Sequence, residues 1–177
     1  MPIVLRAHTL WKSYAAGVVG CSARVWVLRG ASLHLHEGEC LAVLGARGAG
    51  TTTLLHCLAG LRRPDAGCVE SEMPALLLET HHVVNERLPG RRVLLVDDGF
   101  DPRRRSARPP IARGCAANAR ATIIATHELS RVRGVADRIL LLHHGGLLPL
   151  DHPTEARFVA ERFQSSVTDS RGPDPTH

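Results

Sequence analysis

Cys40-Leu41-Ala42-Val43-Leu44-Gly45-Ala46-Arg47-Gly48-Ala49-Gly50-Thr51-Thr52-Thr53 is the stretch on which the fold turns. Its first five residues are apolar without alternation, which predicts a short strand buried on both faces, as in a parallel sheet. A glycine-rich loop follows. Leu54, Leu55, Leu58 and Leu61 then recur at helical spacing and make one apolar stripe, so a helix is expected from Thr51 to Leu61, ended by Gly60 and Pro64. Strand, glycine loop and helix in that order form the setting in which backbone amides cradle phosphate.

The phosphate-loop pattern has four variable residues between two glycines, then Lys, then Ser or Thr. Gly45 and Gly50 fit it, with Ala46, Arg47, Gly48 and Ala49 between them, and Thr52 fits the hydroxyl position. Thr51 stands where the lysine is expected, and Thr53 follows. Glycines let successive N–H groups point inward, and the helix start adds a positive dipole end; both need backbone only. The Thr52 hydroxyl is the candidate ligand for Mg²⁺. What is lost is the ammonium that bridges the outer phosphates. Arg47 offers a charge inside the loop but from a different starting point. Both readings of it, as a substitute for the lysine and as a bystander, stay open here.

Outward from this centre, Val4 to Leu35 reads as strands broken by a loop near Gly17, Gly20 and Cys21. Leu33-His34-Leu35-His36 alternates, so one face is wet and both histidines share it. Exposed strand positions are the expected reading of that pair, since no third metal ligand is evident. Cys68 to Gly90 gives no clear pattern. Val93 to Val96 is a second buried strand, ending at Asp97-Asp98. A helix broken near Pro109-Pro110 should follow, then a strand over Ala121 to Thr126 and a helix from about Glu128. Arg138 to His143 reads as a strand turned by Gly145-Gly146 into a hairpin with Leu147 to Leu150. The order implies an α/β fold with a mostly parallel sheet, crossover helices and an antiparallel N-terminal β portion. Sites on such sheets lie at the carboxyl ends of the strands.

Bulk properties narrow the class. The 177 residues suit one domain, expected over residues 1–164, with a polar tail over 165–177 expected to be disordered. No apolar run reaches bilayer-spanning length. The start, Met1-Pro2-Ile3-Val4-Leu5-Arg6, lacks the order of a signal peptide, so a cytoplasmic location is expected, free or peripheral on the inner face of a membrane. The net charge is +5, yet Lys12 is the single lysine, and the arginines are scattered apart from Arg103-Arg104-Arg105. Aromatic residues are only 3%, too few for base stacking, so nucleic acid is not expected as a partner. The 5 cysteines show no C-x-x-C spacing, so buried free thiols are expected rather than zinc or a disulfide framework.

Together these residues resemble a family. Leu28-Arg29-Gly30-Ala31-Ser32-Leu33, Gly38-Glu39, the loop from Gly45, Leu54-Leu55, Gly60-Leu61, Pro64 and Gly67 are similar to the opening of an ATP-binding-cassette (ABC) transporter ATPase. The resemblance implies a P-loop core and ATP with Mg²⁺ as its cofactors. Tyr14, after Lys12-Ser13, matches the aromatic that stacks on adenine in that family. The insertion between Tyr14 and Leu28 is similar to the lipoprotein-release and macrolide-export branch. Val93 to Asp98 looks like the Walker B strand, in which Asp97 would hold Mg²⁺ through water. Asp98 stands where the family has the glutamate that polarises the attacking water. Gly99 replaces the usual proline, and Phe100-Asp101-Pro102 resembles the end of the next loop. Ala121 to Thr126 with His127 resembles the switch strand and the histidine that contacts the γ-phosphate. Ala136-Asp137-Arg138-Ile139 and His144-Gly145-Gly146-Leu147 continue the pattern.

The chain also departs from that pattern. Only 45 positions separate Thr52 from Asp97, far fewer than the family has, and Gln164 is the sole glutamine. The glutamine loop, most of the helical subdomain and the Leu-Ser-Gly-Gly-Gln signature are missing from a gap near residues 68–90. The resemblance covers roughly residues 1–70 and 88–150. It implies an ATP-binding subunit working with a transmembrane transporter subunit and an intact ABC ATPase partner, since two copies of this chain supply no signature. Weak nucleotide binding and poor or no hydrolysis alone are expected. The alternatives are a non-catalytic nucleotide-binding or regulatory module, and a non-functional remnant of a larger ABC ATPase.

Overall fold

The computed structural model describes residues 1–15, 24–79, 91–98 and 119–150. Two long strands, β1 (Ile3–Ala15) and β2 (Arg24–His36), open the chain. They pair antiparallel, and β4 (Ala66–Ser71) adds to the free side of β1, giving the order β2-β1-β4. The second sheet has six strands. Its members are β3 (Cys40–Gly45), β5 (Ala75–Glu79), β6 (Val93–Asp97), β7 (Ala121–Thr126), β8 (Arg138–His143) and β9 (Gly146–Pro149), in the order β5-β6-β7-β3-β8-β9. All its pairings are parallel except the β8–β9 hairpin. Two helices are described, α1 (Thr51–Leu58) and the single turn α2 (Leu129–Val132).

The apolar runs of β3, β6 and β7 now have a reason. Successive side chains point to opposite faces of a strand, and both faces of this sheet are covered. Leu41, Val43, Leu95 and Ile123 enter one core, while Ala42, Leu44, Leu94 and Ile124 enter the other. The first core also holds Leu54, Leu55 and Leu58 of α1 and Leu5, Leu10, Leu28 and Leu35 of the antiparallel sheet. Thus α1 is packed between the two sheets. The second core is closed by Leu129 and Val132 of α2. β3 sits between β7 and β8, which puts the glycine loop near the middle of the sheet edge.

Several expectations need correction. The helix after the loop ends at Leu58, one turn short of Leu61, and Leu61 is exposed. Gly60 takes a positive φ of 71°, which stops the helix where the apolar stripe alone would extend it. The unreadable segment holds β4 and β5, whose residues are mostly exposed or half-buried and so carry no run of buried apolar residues. Cys40 and Cys57 are buried thiols, but Cys68 is exposed on β4. The turn near Gly17, Gly20 and Cys21, the segment from Gly99 through Phe100-Asp101-Pro102 to Pro109-Pro110, Cys115 and the tail at 165–177 lie outside the described residues. Among the described residues, no helix is long and apolar enough to cross a membrane.

Candidate nucleotide-binding site

β3 ends at Gly45, and the chain turns through Ala46 to Gly50, with the Ala49 N–H donating to Ala46 O at 2.9 Å. Two glycines are forced by geometry. A Cβ on Gly45 would lie 2.6 Å from Thr51 Cγ2. Gly50 caps α1 with φ +102°, and a Cβ there would meet Val27 Cγ1 at 2.3 Å. Both positions demand close backbone approach, and Gly50 also demands the left-handed region. No side chain caps α1 and no acid lies in its first turn. Its leading amides are therefore not satisfied within the helix and face an environment suited to an anion.

A cavity of about 230 Å³ opens against this loop. Gly45, Ala46, Arg47, Gly48, Thr51 and Thr52 line one side. Asp97 and Asp98 from the end of β6, with Ala125, Thr126 and His127 from the end of β7, line the other. Parallel registry explains the meeting. Asp97 lies opposite Ala125, and Leu44 lies opposite Thr126, so three strand ends come level. Two larger hollows, about 390 and 370 Å³, lie along the β1–β4 edge and around Arg62 to Val69. Neither combines a glycine loop with carboxylates, as the smaller cavity does.

Thr52 and Asp97 bring a hydroxyl and a carboxylate to one cavity, an oxygen donor set that suits Mg²⁺ when water and phosphate complete it. No cluster of three or more His, Cys, Asp or Glu suited to a metal occurs among the described residues. Asp98 is fully buried. Its Oδ2 accepts hydrogen bonds from Thr126 Oγ1 at 3.0 Å and from Arg131 Nε of α2, a close ion pair. The backbone N–H of Asp98 donates to Ala125 O at 2.8 Å. Thr126 Oγ1 in turn accepts from the Glu128 N–H at 3.2 Å. His127 Nε2 lies 3.4 Å from Glu128 Oε1 and its side chain is largely covered.

Ala49, Gly50, Thr53 and Tyr14 do not line the cavity. Ala49 and Gly50 shape the loop instead. Tyr14, near the end of β1, shares a hydrogen bond of 3.2 Å between its hydroxyl and Thr53 Oγ1, and the Arg62 guanidinium lies 5.3 Å from its ring centre. Arg47 is exposed at the cavity mouth.

Arg131 is the residue that sequence reading missed, because nothing in the spacing of 33 residues announces its pairing with Asp98. The edge strand β5 was missed too; it places Glu79 in register with Asp97. A short Leu76-Leu77-Leu78 run before Glu79 was the available signal.

The comparisons agree with this geometry. The ABC transporter family model matches residues 28–133. The chain belongs to the ABC transporter family. It is 40% identical over 67 residues to a lipoprotein-releasing system ATP-binding protein of Legionella pneumophila, covering 38% of this chain and 28% of that one. It is 32% identical over 148 residues to an aliphatic sulfonates import ATP-binding protein of Nocardia farcinica, covering 82% and 59%. In neither case does the match reach two thirds of the relative's own length. Among solved structures, a nucleotide-free ATP-binding cassette from an ABC transporter superposes with a TM-score of 0.62 at 13% identity, over 98% of this chain and 100% of that one. An ATP-binding cassette in a post-hydrolysis state, bound to ADP and Pi, gives 0.60 at 12% identity, over 81% and 96%. At these identities the structural likeness speaks for the ABC cassette fold alone.

Proposed function

We propose that this chain is the ATP-binding subunit of an ABC transporter, binding MgATP weakly and hydrolysing it poorly or not at all by itself. One observation carries the reading. The glycine loop, the Thr52 hydroxyl, the Asp97 carboxylate and His127 line one cavity at the ends of adjacent parallel strands. The loop amides and the α1 dipole would hold the phosphates. Thr52 and Asp97 would hold Mg²⁺, which when bound neutralises charge between the outer phosphates. His127, which lines the same cavity, would meet the terminal phosphate.

The weak side of the proposal has its own support. Thr51 brings no charge where the pattern has an ammonium. Asp98 is one methylene shorter than glutamate, and its carboxylate is engaged by Arg131 and Thr126. A misplacement on the order of 1 Å costs about 100-fold in rate. The reading includes a transmembrane subunit, an intact ABC ATPase partner able to supply a signature, and a position on the cytoplasmic face of the membrane.

Titrating labelled MgATP onto the purified chain tests it. Saturable weak binding with no ATPase above background is the expected result. A robust ATPase rate abolished by Asp97→Asn would restore the reading as an active enzyme. Absence of binding up to millimolar nucleotide would leave the remnant reading in its place.

A further inference from the structure

The chain has one lysine and one tyrosine, Lys12 and Tyr14, two positions apart near the end of β1. Both reach the connection that follows α1. Asp65 of that connection gathers the strand end. Its Oδ1 accepts from Lys12 Nζ at 2.7 Å, and its Oδ2 accepts from the Ser13 N–H at 2.8 Å and the Ser13 hydroxyl at 2.7 Å. The Asp65 N–H donates to Trp11 O at 2.8 Å, and Lys12 Nζ also donates to Arg63 O at 2.9 Å. Ser13 is only 4% exposed, so its bonds are made where a hydrogen bond is stronger than in water. These bonds fix the backbone leading into Tyr14.

The Tyr14 side chain is then held at two points. Its hydroxyl shares the 3.2 Å hydrogen bond with Thr53 Oγ1, in the first turn of α1. The Arg62 guanidinium lies over its ring, 5.3 Å from the centre, and the Arg62 N–H donates to His56 O of α1 at 3.1 Å. Thr52, next to Thr53, lines the glycine-loop cavity. The ring thus stands beside the helix turn that opens on that cavity. Tyr14 is half-buried, and Val25, in register with it on β2, is 56% exposed, so an apolar surface is open to water there. A cation over one face of an aromatic ring leaves the other face to a second flat partner.

We propose that Arg62 is a positioning residue for base recognition: with Asp65 fixing the approach, it packs one face of Tyr14 so that the ring presents a flat surface to the base of a nucleotide whose phosphates lie in the glycine loop. This role rests on the nucleotide-binding reading above. Its consequence is a difference between ligands. Magnesium tripolyphosphate meets the loop alone, whereas MgATP meets the loop and the ring.

Arg62→Gln removes the cation from the ring. At physiological ionic strength it should weaken MgATP binding about two- to fivefold and leave tripolyphosphate binding as in the parent, since an exposed charge away from the loop is screened. Arg62→Lys should keep most of the MgATP affinity. A residue that only braced α1 would change both ligands alike, because α1 continues the loop that both contact. The sole tyrosine gives a second readout. Ring-labelled tyrosine reports on Tyr14 alone in NMR spectra, and the base of MgATP should shift its ring signals where tripolyphosphate does not.

Calorimetric titration of both ligands into the full chain and these variants, with the tyrosine spectra and circular dichroism to check the fold, decides the matter. Equal losses for the two ligands in Arg62→Gln, no loss for either, or tyrosine signals unmoved by MgATP would each overturn the role of Arg62 and leave the nucleotide reading in place. Tighter MgATP binding by Arg62→Gln would overturn it too, by showing that Arg62 covers the face the base needs. If Arg62→Gln does not fold, Arg62→Met, which keeps a long apolar stem without the charge, decides by the same comparison of ligands. A parent chain that binds neither ligand overturns the nucleotide reading and the role of Arg62 with it.

Discussion

Asp137 and Cys40, 97 positions apart, hold each other by two hydrogen bonds: the Cys40 N–H donates to Asp137 Oδ2 and the Asp137 N–H donates to Cys40 O, both at 2.8 Å. The pair clips the start of β8 to the start of β3. Because β3 delivers Gly45 to the cavity, this clip fixes the strand from its far end.

Asp137→Ala should therefore cost stability. A hydrogen bond to a charged acceptor is worth about 1.5–3 kcal/mol, and the exposure of Asp137 puts this one at or below the lower end. The expected loss is about 1–2 kcal/mol in urea unfolding, with Asp137→Asn losing less. A loss within measurement error would show that the strand is placed by its apolar packing alone.

A second prediction concerns acid. The imidazoles of His34 and His143 are held below their ordinary range, His34 by burial and then by Arg138, His143 by burial and then by His144. Arg138 Nη1 lies 3.1 Å from His34 Nε2, so the guanidinium donates to a neutral ring. The unfolded chain then binds more protons than the folded one around pH 6, and stability rises with pH there. The contribution is fully present above about 6.5, the ordinary imidazole value. It is lost as pH falls through the lower folded values. Melting temperature should drop between about pH 7 and 5, and His34→Gln should flatten that slope. An unchanged slope in the variant would remove His34 from the account.

The parallel sheet was legible because burial on both faces leaves an unbroken apolar run, and Cys40 to Leu44, Val93 to Val96 and Ala121 to Thr126 all show it. The antiparallel N-terminal sheet was legible through alternation in Leu33-His34-Leu35-His36. β4 was not, because an edge strand with exposed positions such as Ala66, Gly67 and Cys68 carries neither signal, and β5 showed only the short Leu76-Leu77-Leu78 run. The cavity brings together Gly45 to Gly48, Thr51, Thr52, Asp97, Asp98 and His127, whose strand contexts agree in order along the chain. The engagement of Asp98 by Arg131 was not legible, because a side-chain pair between separate elements leaves no period in the chain.

The third prediction separates two roles for Tyr14. Its hydroxyl bonds Thr53 in α1, and its ring carries Arg62 over one face. If the ring also stacks on a nucleotide base, Tyr14→Ala should weaken ATP and GTP alike by about three- to tenfold. Tyr14→Phe keeps the ring and loses only the hydroxyl, so its affinity should stay near the parent value. If Tyr14 only braces α1, both variants should lower the melting temperature and neither should change affinity beyond that. Paired titrations and melts on the two variants distinguish these outcomes.

The last prediction returns to the loop. Thr51 lines the cavity, and its Cγ2 occupies the space that a Cβ on Gly45 would need. Gly45 has no Cβ to meet a longer side chain at 51, so the Cβ of a lysine there fits the same backbone. Its ammonium can reach outward over the loop toward phosphate oxygens held by the amides. A charge-assisted hydrogen bond is worth roughly 1.5–3 kcal/mol, or about ten- to a hundredfold in affinity. MgATP should therefore bind at least about tenfold more tightly to Thr51→Lys, with the gain shrinking as salt rises. Hydrolysis should stay slow, because Asp98 remains engaged by Arg131 and electrostatic stabilisation of the transition state needs every donor in place at once. Adding Asp98→Glu lengthens the carboxylate but leaves the chain without a partner's signature, so the double variant should still lack a rate much above background. An affinity unmoved by Thr51→Lys, in a protein whose circular dichroism matches the parent, would mean that the glycine loop does not hold phosphate.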